Sequence, residues 1–111
     1  MDTRTEIRES LRGGNGCVIF NHILGDKEMK TNARLFAEMI LEPGCSVGYH
    51  QHNGESETYY ILSGTGTYDD NGTVRTVKAG DVTFTPDGSG HGIANDGTED
   101  LKFIALILLD K

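Results

Sequence analysis

Short runs of apolar and β-branched residues, separated by glycine-rich turns, dominate the hydrophobic pattern of this chain. The sequence contains 15 glycines but only two prolines, so turn residues recur at short intervals. Such a pattern is typical of many short antiparallel strands rather than of helices. It predicts an all-β protein with strands near residues 17–24, 32–42, 47–52, 57–63, 65–69, 73–78, 82–85, 91–95 and 101–109.

Two local patterns predict particular connections. The stretch "YDDNGTVRTV" carries Asn71 and Gly72 at its centre, and Asn-Gly supplies the two positive-φ positions of a type I′ turn. It therefore predicts a tight hairpin. Ile7 and Leu11 lie four residues apart, and this spacing predicts a helical turn near residues 3–12.

The number of strands favours a closed architecture. So many short strands must pair at their edges or close up, and an antiparallel barrel or jelly roll removes exposed edges. With 111 residues the chain is the size of one domain. We expect residues 32–111 to form the barrel core and residues 1–31 to contribute first strands to the barrel or to a dimer partner. The last strand, residues 101–109, is apolar on both faces, and a second subunit would cover its outer face.

Charge and segment lengths exclude several classes of partner. The formal net charge is −7, which repels nucleic-acid phosphates and anionic lipid headgroups. The longest purely apolar run, residues 103–109, is too short to span a bilayer, and the polar opening lacks the apolar core of a secretory signal. We therefore expect a cytoplasmic protein without nucleic-acid or membrane partners. Cys17 and Cys45 match no metal or disulfide pattern, in keeping with a reducing compartment.

The stretch "GYHQHNGESE" concentrates metal-ligating side chains. His50 and His52 point to the same face of an extended strand, about 6.5–7 Å apart along the chain. After the turn in "NGES", the strand that begins at Glu57 can run back antiparallel and bring its carboxylate beside the imidazoles. His91 is a fourth candidate if the fold brings it near.

Three imidazoles and one carboxylate form a mixed nitrogen and oxygen ligand set. A divalent transition metal ion suits it, with six-coordinate Mn, Fe, Co or Ni favoured because two positions stay open for water or substrate. Zn is also compatible, although catalytic zinc usually has three protein ligands.

At these residues the sequence resembles the cupin family. "GCSVGYHQHNGESETYYILSG" is similar to the first cupin motif, with His50, His52, Glu57 and Gly64 at the expected spacings after Gly44. "GDVTFTPDGSGHGIAN" is similar to the second motif, which begins at Gly80 and includes Pro86, Gly88, His91 and Asn95. The resemblance covers roughly residues 32–109 and matches both motifs completely.

The resemblance implies an antiparallel cupin β-barrel or jelly roll that holds one divalent metal ion per chain through His50, His52, Glu57 and His91. It also implies a homodimer. Cupins include dioxygenases, decarboxylases, isomerases and proteins without a known reaction, so the family does not determine the reaction.

Three further residues are candidates for a substrate pocket. Tyr59 faces the same way as Glu57 by alternation and could donate a hydrogen bond or assist proton transfer, or could simply pack in the cavity. Phe84 is expected in the barrel wall. Arg34 shares a strand face with Glu38: it would hold a substrate carboxylate if that face lines the cavity, or belong to an exterior charged face if it does not.

Other polar residues are interpreted as having no direct role. Glu55 lies in the turn before Glu57 and is expected to be a solvated loop charge. His22 stands alone in "VIFNHIL" and is expected to be structural or exposed, with a place at the cavity mouth as the alternative. Cys45 follows the Pro-Gly turn too closely to be a convincing nucleophile.

The leading hypothesis is a metal-dependent enzyme that acts on a small oxygenated organic compound as a dioxygenase, decarboxylase or isomerase. The alternative is a binding or sensing module in which the metal anchors a small ligand without turnover. Tyr59 is the weak candidate for a catalytic side chain.

Overall fold

A computed structural model describes residues 4–110 of the chain. Within that range, ten strands form two antiparallel sheets, with a 3-10 turn at Leu11–Gly13 and one short helix, α1, at Asp26–Met29. The strands are β1 (Thr5–Glu9), β2 (Cys17–His22), β3 (Ala33–Leu41), β4 (Ser46–Gln51), β5 (Glu55–Ser63), β6 (Thr65–Asp70), β7 (Thr73–Lys78), β8 (Val82–Thr85), β9 (Gly90–Ala94) and β10 (Leu101–Leu109).

The two sheets enclose the core as a jelly-roll barrel. The larger sheet has the strand order β1-β2-β3-β10-β5-β8, and the smaller sheet has the order β4-β9-β6-β7. Strands that are distant in sequence, such as β3 and β10, pair within the larger sheet. The core consists of buried apolar side chains from both sheets: Val18, Phe20, Ala37, Met39, Leu41, Val47, Tyr59, Ile61, Tyr68, Val77, Ile93, Leu101, Phe103 and Ala105.

All nine strands that the sequence predicts are confirmed, with ends within two residues of those expected. The hairpin is also confirmed. Asp70 pairs with Thr73 across a two-residue turn, in which Asn71 has φ 50° and Gly72 has φ 98°. Both values lie in the left-handed region that a type I′ turn requires, which is why Asn-Gly stands there.

The helical turn expected near residues 3–12 is wrong for Thr5–Glu9, which form a strand; a 3-10 turn begins only at Leu11, and Thr3 lies outside the described residues. Residues Thr5–Glu9 form β1, an edge strand that pairs with β2 from Thr5↔Asn21 to Glu9↔Cys17. Ile7 is 62% exposed, so no apolar helical face packs inward there. Backbone pairing with β2 therefore decides the conformation, and residues four apart share one face of a strand as well as of a helix.

The N-terminal segment is part of the larger sheet of its own subunit within the described range. β2 pairs with β3, for example at Phe20↔Met39, and thereby extends the sheet beyond the barrel core. The helix α1, which the sequence did not predict, follows β2 and buries Met29. In residues 4–110 no helix combines the length and apolarity needed to cross a bilayer.

Candidate metal centre

Both sheets contribute to a cluster of three histidines and one glutamate. β4 carries His50, and His52 follows directly after its end, while β9 carries His91 and pairs it with His50 across the strands. Glu57 comes from β5 in the larger sheet. The alternation expected of an extended strand holds, because His50 and His52 project to the same side. The cluster therefore bridges the two sheets at one end of the core.

The donor atoms of these four side chains converge on one point. Nε2 of His52 lies 3.1 Å from Nε2 of His50 and 3.1 Å from Nε2 of His91. Oε1 of Glu57 lies 2.9 Å from Nε2 of both His52 and His91, and 3.9 Å from Nε2 of His50. All four donor atoms lie within 4.8 Å of one another, close enough to share one ion.

Hydrogen bonds at the other ring nitrogen fix the imidazole orientations. Nδ1 of His50 donates to the carbonyl oxygen of Gly48 at 2.7 Å, because a carbonyl can only accept. Nδ1 of His52 donates to the carboxylate of Glu55. In a neutral imidazole with a proton on Nδ1, Nε2 keeps its lone pair free. Both rings therefore direct unprotonated nitrogens at the centre.

The third imidazole is held in a similar way. Nδ1 of His91 lies 2.8 Å from the hydroxyl oxygen of Tyr68 and 2.9 Å from Oγ1 of Thr85. Either hydroxyl oxygen can accept a hydrogen bond from Nδ1. The side chain is completely buried, and this burial lowers the pKa of His91. It thus remains neutral, as a metal ligand must be.

The cluster carries a negative charge that calls for a cation. Burial alone would raise the pKa of Glu57, but the surrounding imidazoles of His50, His52 and His91 hold it below its ordinary value. The carboxylate is 3% exposed and stays ionised. Glu57 in turn raises the pKa of His52 against the effect of burial, because the carboxylate favours a positive charge beside it, which a metal ion would supply in place of a proton.

These features fit a divalent metal ion. Several lone pairs and one buried carboxylate face each other at about hydrogen-bond distance, and a cation between them removes their mutual repulsion. Imidazole and carboxylate ligands together suit first-row transition metals. The residues at the site therefore match the chemistry of the ion that the sequence motifs imply.

Glu55 is not the solvated loop charge that the sequence suggested. It begins β5, is 8% exposed, and accepts the Nδ1 hydrogen of His52. Arg34 binds the same carboxylate through Nε and Nη2, each at 2.6 Å. Its hydrogen bonds with Arg34 lower the pKa of Glu55, so the carboxylate is ionised and orients the His52 ring.

Arg34 lines the cavity, although its side chain is 44% exposed. It lies at the β-bulge between β3 and β10, where the register shifts between Ile107 and Leu108. This shift breaks the alternation with Glu38 on which both alternatives for Arg34 depended. The guanidinium of Arg34 already donates two hydrogen bonds to Glu55. Its main role is therefore to hold that carboxylate in place.

Tyr59 lines the cavity, whereas Phe84 does not. Tyr59 is 1% exposed, and its ring stacks on His91 with centroids 4.8 Å apart. Burial raises the pKa of Tyr59 well above its usual value, so its phenol keeps its proton. Phe84 is in the barrel wall, as expected, but it does not line the pocket for which it was a candidate. It projects from the outer face of β8 and is 55% exposed, whereas Thr83 and Thr85 are buried.

The cavity continues from the cluster to an opening lined by the N-terminal segment. Its volume is about 230 Å³. His22 belongs to this wall, where its Nε2 lies 2.9 Å from Oε1 of Glu6 and its ring stacks on Phe20. The four arginines that line the cavity are Arg4, Arg8, Arg12 and Arg34.

Sequence reasoning missed the cationic wall and the role of Glu55. Arg4, Arg8 and Arg12 recur every four residues, which indicates one shared face but not what that face covers. The structure shows that all three line the cavity, with Arg8 in β1, Arg4 just before it and Arg12 in the 3-10 turn. The role of Glu55 could have been recognised from its position three residues after His52. Metal-binding imidazoles commonly donate a hydrogen bond from their other ring nitrogen to a carboxylate.

Comparisons with known proteins agree with this architecture. The chain matches the family described as Cupin domain over residues 37–107. An oxalate-binding protein of Thermotoga maritima is 52% identical over 100 residues, which cover 90% of this chain and 83% of the relative.

Solved structures give the same result. A crystal structure described as a predicted oxalate decarboxylase from Thermotoga maritima superposes with a TM-score of 0.92 at 48% identity, covering 98% of this chain and 99% of the other. A cupin-like protein from the same organism superposes with a TM-score of 0.73 at 26% identity, covering 84% of this chain and 69% of the other. The family match spans more than half of the sequence, and the chain belongs to the cupin family.

Proposed function

We propose that this cupin binds a small dicarboxylate of the oxalate class at a divalent transition metal ion held by His50, His52, Glu57 and His91. The observation that carries the proposal is the arginine-lined cavity that leads to the cluster in a chain with a formal net charge of −7. A local positive wall in an acidic protein concentrates anions at the site. The name of the oxalate-binding relative supports the same ligand class.

The donor spacings favour a six-coordinate ion. Two ligands at right angles, each about 2.1 Å from an ion, lie about 3.0 Å apart, whereas tetrahedral ligands lie about 3.4 Å apart. Four of the donor separations are 2.9 or 3.1 Å. This supports Mn, Fe, Co or Ni as the bound metal over zinc.

The number of protein ligands supports chelation of the ligand. A six-coordinate ion held by these four residues would keep two positions for a ligand. Such an ion would suit an anion that offers one oxygen from each of two neighbouring carboxylates.

The size of the cavity limits the ligand. A volume of about 230 Å³ lies below the 300–1,000 Å³ typical of sites for drug-sized molecules. Apolar side chains, including Leu35, Met39 and Ile107, line part of the wall and exclude water around a small anion. An anion with few heavy atoms therefore fits this space better than a sugar phosphate or a nucleotide.

The side chains around the cluster have different roles in binding. A bound divalent ion supplies a Lewis-acid centre for carboxylate oxygens. Glu55 and the Gly48 carbonyl hold the His52 and His50 rings in their tautomers, and Arg34 holds Glu55. Tyr59 closes the floor of the cavity against His91.

Turnover of the dicarboxylate is the second candidate function, and Tyr59 favours it. Conversion of hydrogen oxalate to carbon dioxide and formate breaks one C–C bond and places a proton on the remaining carbon. The phenol of Tyr59 stays protonated beside the cluster and is placed to exchange that proton. The Thermotoga maritima structure is described as a predicted oxalate decarboxylase, which is the same reaction.

One experiment distinguishes the two candidates. Protein loaded with Mn(II) or Fe(II) without oxygen is titrated with oxalate by calorimetry, and oxygen is then admitted while dioxygen uptake, carbon dioxide and formate are measured. We expect one oxalate per chain, with a dissociation constant below about 1 mM that depends on the metal. Release of carbon dioxide and formate would establish turnover, whereas equal oxalate binding with and without metal would contradict the proposal.

We also propose that the chain forms a homodimer through the outer face of the larger sheet. Aligned across β3, β10, β5 and β8, one row contains Phe36, Leu106, Thr58 and Phe84, and the next contains Glu38, Ile104, Tyr60 and Val82. Tyr60, Val82 and Phe84 are 47%, 58% and 55% exposed. An exposed, nearly continuous apolar sheet face of this kind marks a protein interface.

Replacing Phe84 with aspartate should separate the subunits. In a two-fold interface the substitution occurs twice and buries two uncompensated charges. Light scattering after size exclusion should give twice 12.1 kDa for the unaltered chain and 12.1 kDa for Phe84→Asp. Val74→Asp is the matched control, since Val74 is 62% exposed on β7 of the smaller sheet, and it should leave the mass unchanged. A monomeric unaltered chain would contradict this interface.

A further inference from the structure

Within residues 4–110, one of the four cavity arginines differs from the others in having no acidic partner. Arg8 donates to Glu6 at 2.8 Å and lies over the ring of Phe20, and Arg4 lies 3.6 Å from the same carboxylate. Arg34 is bound by Glu55. Across residues 4–110, by contrast, no hydrogen bond or ion pair engages the side chain of Arg12. Its charge is therefore available to a ligand.

The backbone of Arg12 is fixed against the strand that carries two of the candidate ligands. Arg12 lies in the 3-10 turn with φ 54° and ψ 32°, a left-handed conformation that non-glycine residues rarely adopt. Its carbonyl oxygen would lie 2.0 Å from a Cβ placed at Gly48, so only glycine permits this approach. Gly48 in turn accepts the hydrogen bond from His50. The turn is thus held at a defined position beside the metal cluster.

The charge of Arg12 reaches the interior of the cavity. The residue lines the cavity although it is exposed at the opening. The same cavity is lined by His50, His52, Glu57 and Tyr59, so the Arg12 side chain and the cluster border one enclosed space. A positive charge on the wall of that space attracts an anion bound at the cluster.

We propose that Arg12 is the residue that determines specificity for dicarboxylates, by donating to the two carboxylate oxygens of the ligand that face away from the metal. This inference rests on the function proposed above. When each carboxylate of oxalate gives one oxygen to the ion, its other two oxygens lie side by side on the far edge of the planar anion. A guanidinium presents two parallel N–H groups that match such a pair, whereas an ammonium does not. The ligand class is therefore dicarboxylates of the oxalate type, in which the two carboxylates are directly bonded.

The test compares variants of the Mn(II)-loaded protein by calorimetry with oxalate and with acetate. Arg12→Gln should weaken oxalate binding about 10- to 100-fold, because charge-assisted hydrogen bonds are lost. It should weaken acetate binding by no more than about threefold. Arg12→Lys keeps the charge but loses the paired donors, and it should also bind oxalate more weakly than the unaltered chain. Mn(II) affinity should stay unchanged in both variants, which shows that the fold and the cluster are intact.

Lys78→Gln is the control, because Lys78 is a cation on β7 that pairs with Asp81 at 3.9 Å and does not line the cavity. It should change the oxalate affinity by no more than about threefold. Oxalate binding by Arg12→Gln and Arg12→Lys at the unaltered affinity, or an equal loss in Lys78→Gln, would overturn the role of Arg12 while leaving the proposed function standing. Failure of the unaltered, metal-loaded chain to bind oxalate would overturn the proposed function and this inference together.

Discussion

Replacing His91 with alanine is expected to remove the metal ion from the protein. His91 is completely buried and supplies an Nε2 that lies 3.1 Å from that of His52 and 2.9 Å from Oε1 of Glu57. Loss of a residue that only supports a metal ligand commonly costs 10- to 100-fold in affinity, so loss of a ligand should cost more than about 100-fold. Competition with a chromogenic chelator measures the affinity, and elemental analysis measures the occupancy.

His22→Ala is the control for this variant. His22 also lines the cavity and bonds to a glutamate, but it contributes nothing to the cluster. It should retain one metal ion per chain with an affinity close to that of the unaltered protein. Full metal occupancy in His91→Ala, with unchanged affinity, would mean that the ion binds elsewhere.

Replacing Glu55 with glutamine is expected to weaken metal binding about 10- to 100-fold without removing any ligand. The ionised carboxylate accepts a hydrogen bond from Nδ1 of His52. This makes Nε2 of the same ring a stronger metal ligand. Glutamine preserves the shape of the side chain but not its charge, and it leaves Arg34 without its anionic partner. The same chelator competition provides the measurement.

Glu42→Gln removes a carboxylate at the surface, away from the cluster, and should leave the metal affinity unchanged. An affinity of Glu55→Gln within about twofold of the unaltered value would contradict the role of Glu55. In that case the contact with His52 would serve only the packing of β5 against the cluster.

The sequence predicts those parts of the fold and site that depend on local periodicity. Alternation places His50 and His52 on one side of β4, and Asn71-Gly72 determines the β6–β7 turn, so both follow from a few neighbouring residues. The four members of the cluster also follow from the motif spacings. The structure brings their donor atoms together as that pattern required.

The parts that the sequence did not predict depend on long-range pairing. The conformation of residues 5–9 is decided by β2, because an edge strand takes its hydrogen bonds from a partner rather than from its own turn. Arg34 turns into the cavity at a bulge that depends on the register between β3 and β10. Phe84 faces outward because Thr83 and Thr85 occupy the inward positions of β8. None of these contacts is visible in a short stretch of sequence.

The most direct test of the metal centre is a crystal structure of Mn(II)-loaded protein with anomalous diffraction recorded at the manganese edge. We expect one anomalous peak per chain, about 2.1–2.2 Å from Nε2 of His50, His52 and His91 and from Oε1 of Glu57. A peak bound by other residues, or histidines that bond to each other with no ion between them, would contradict the account.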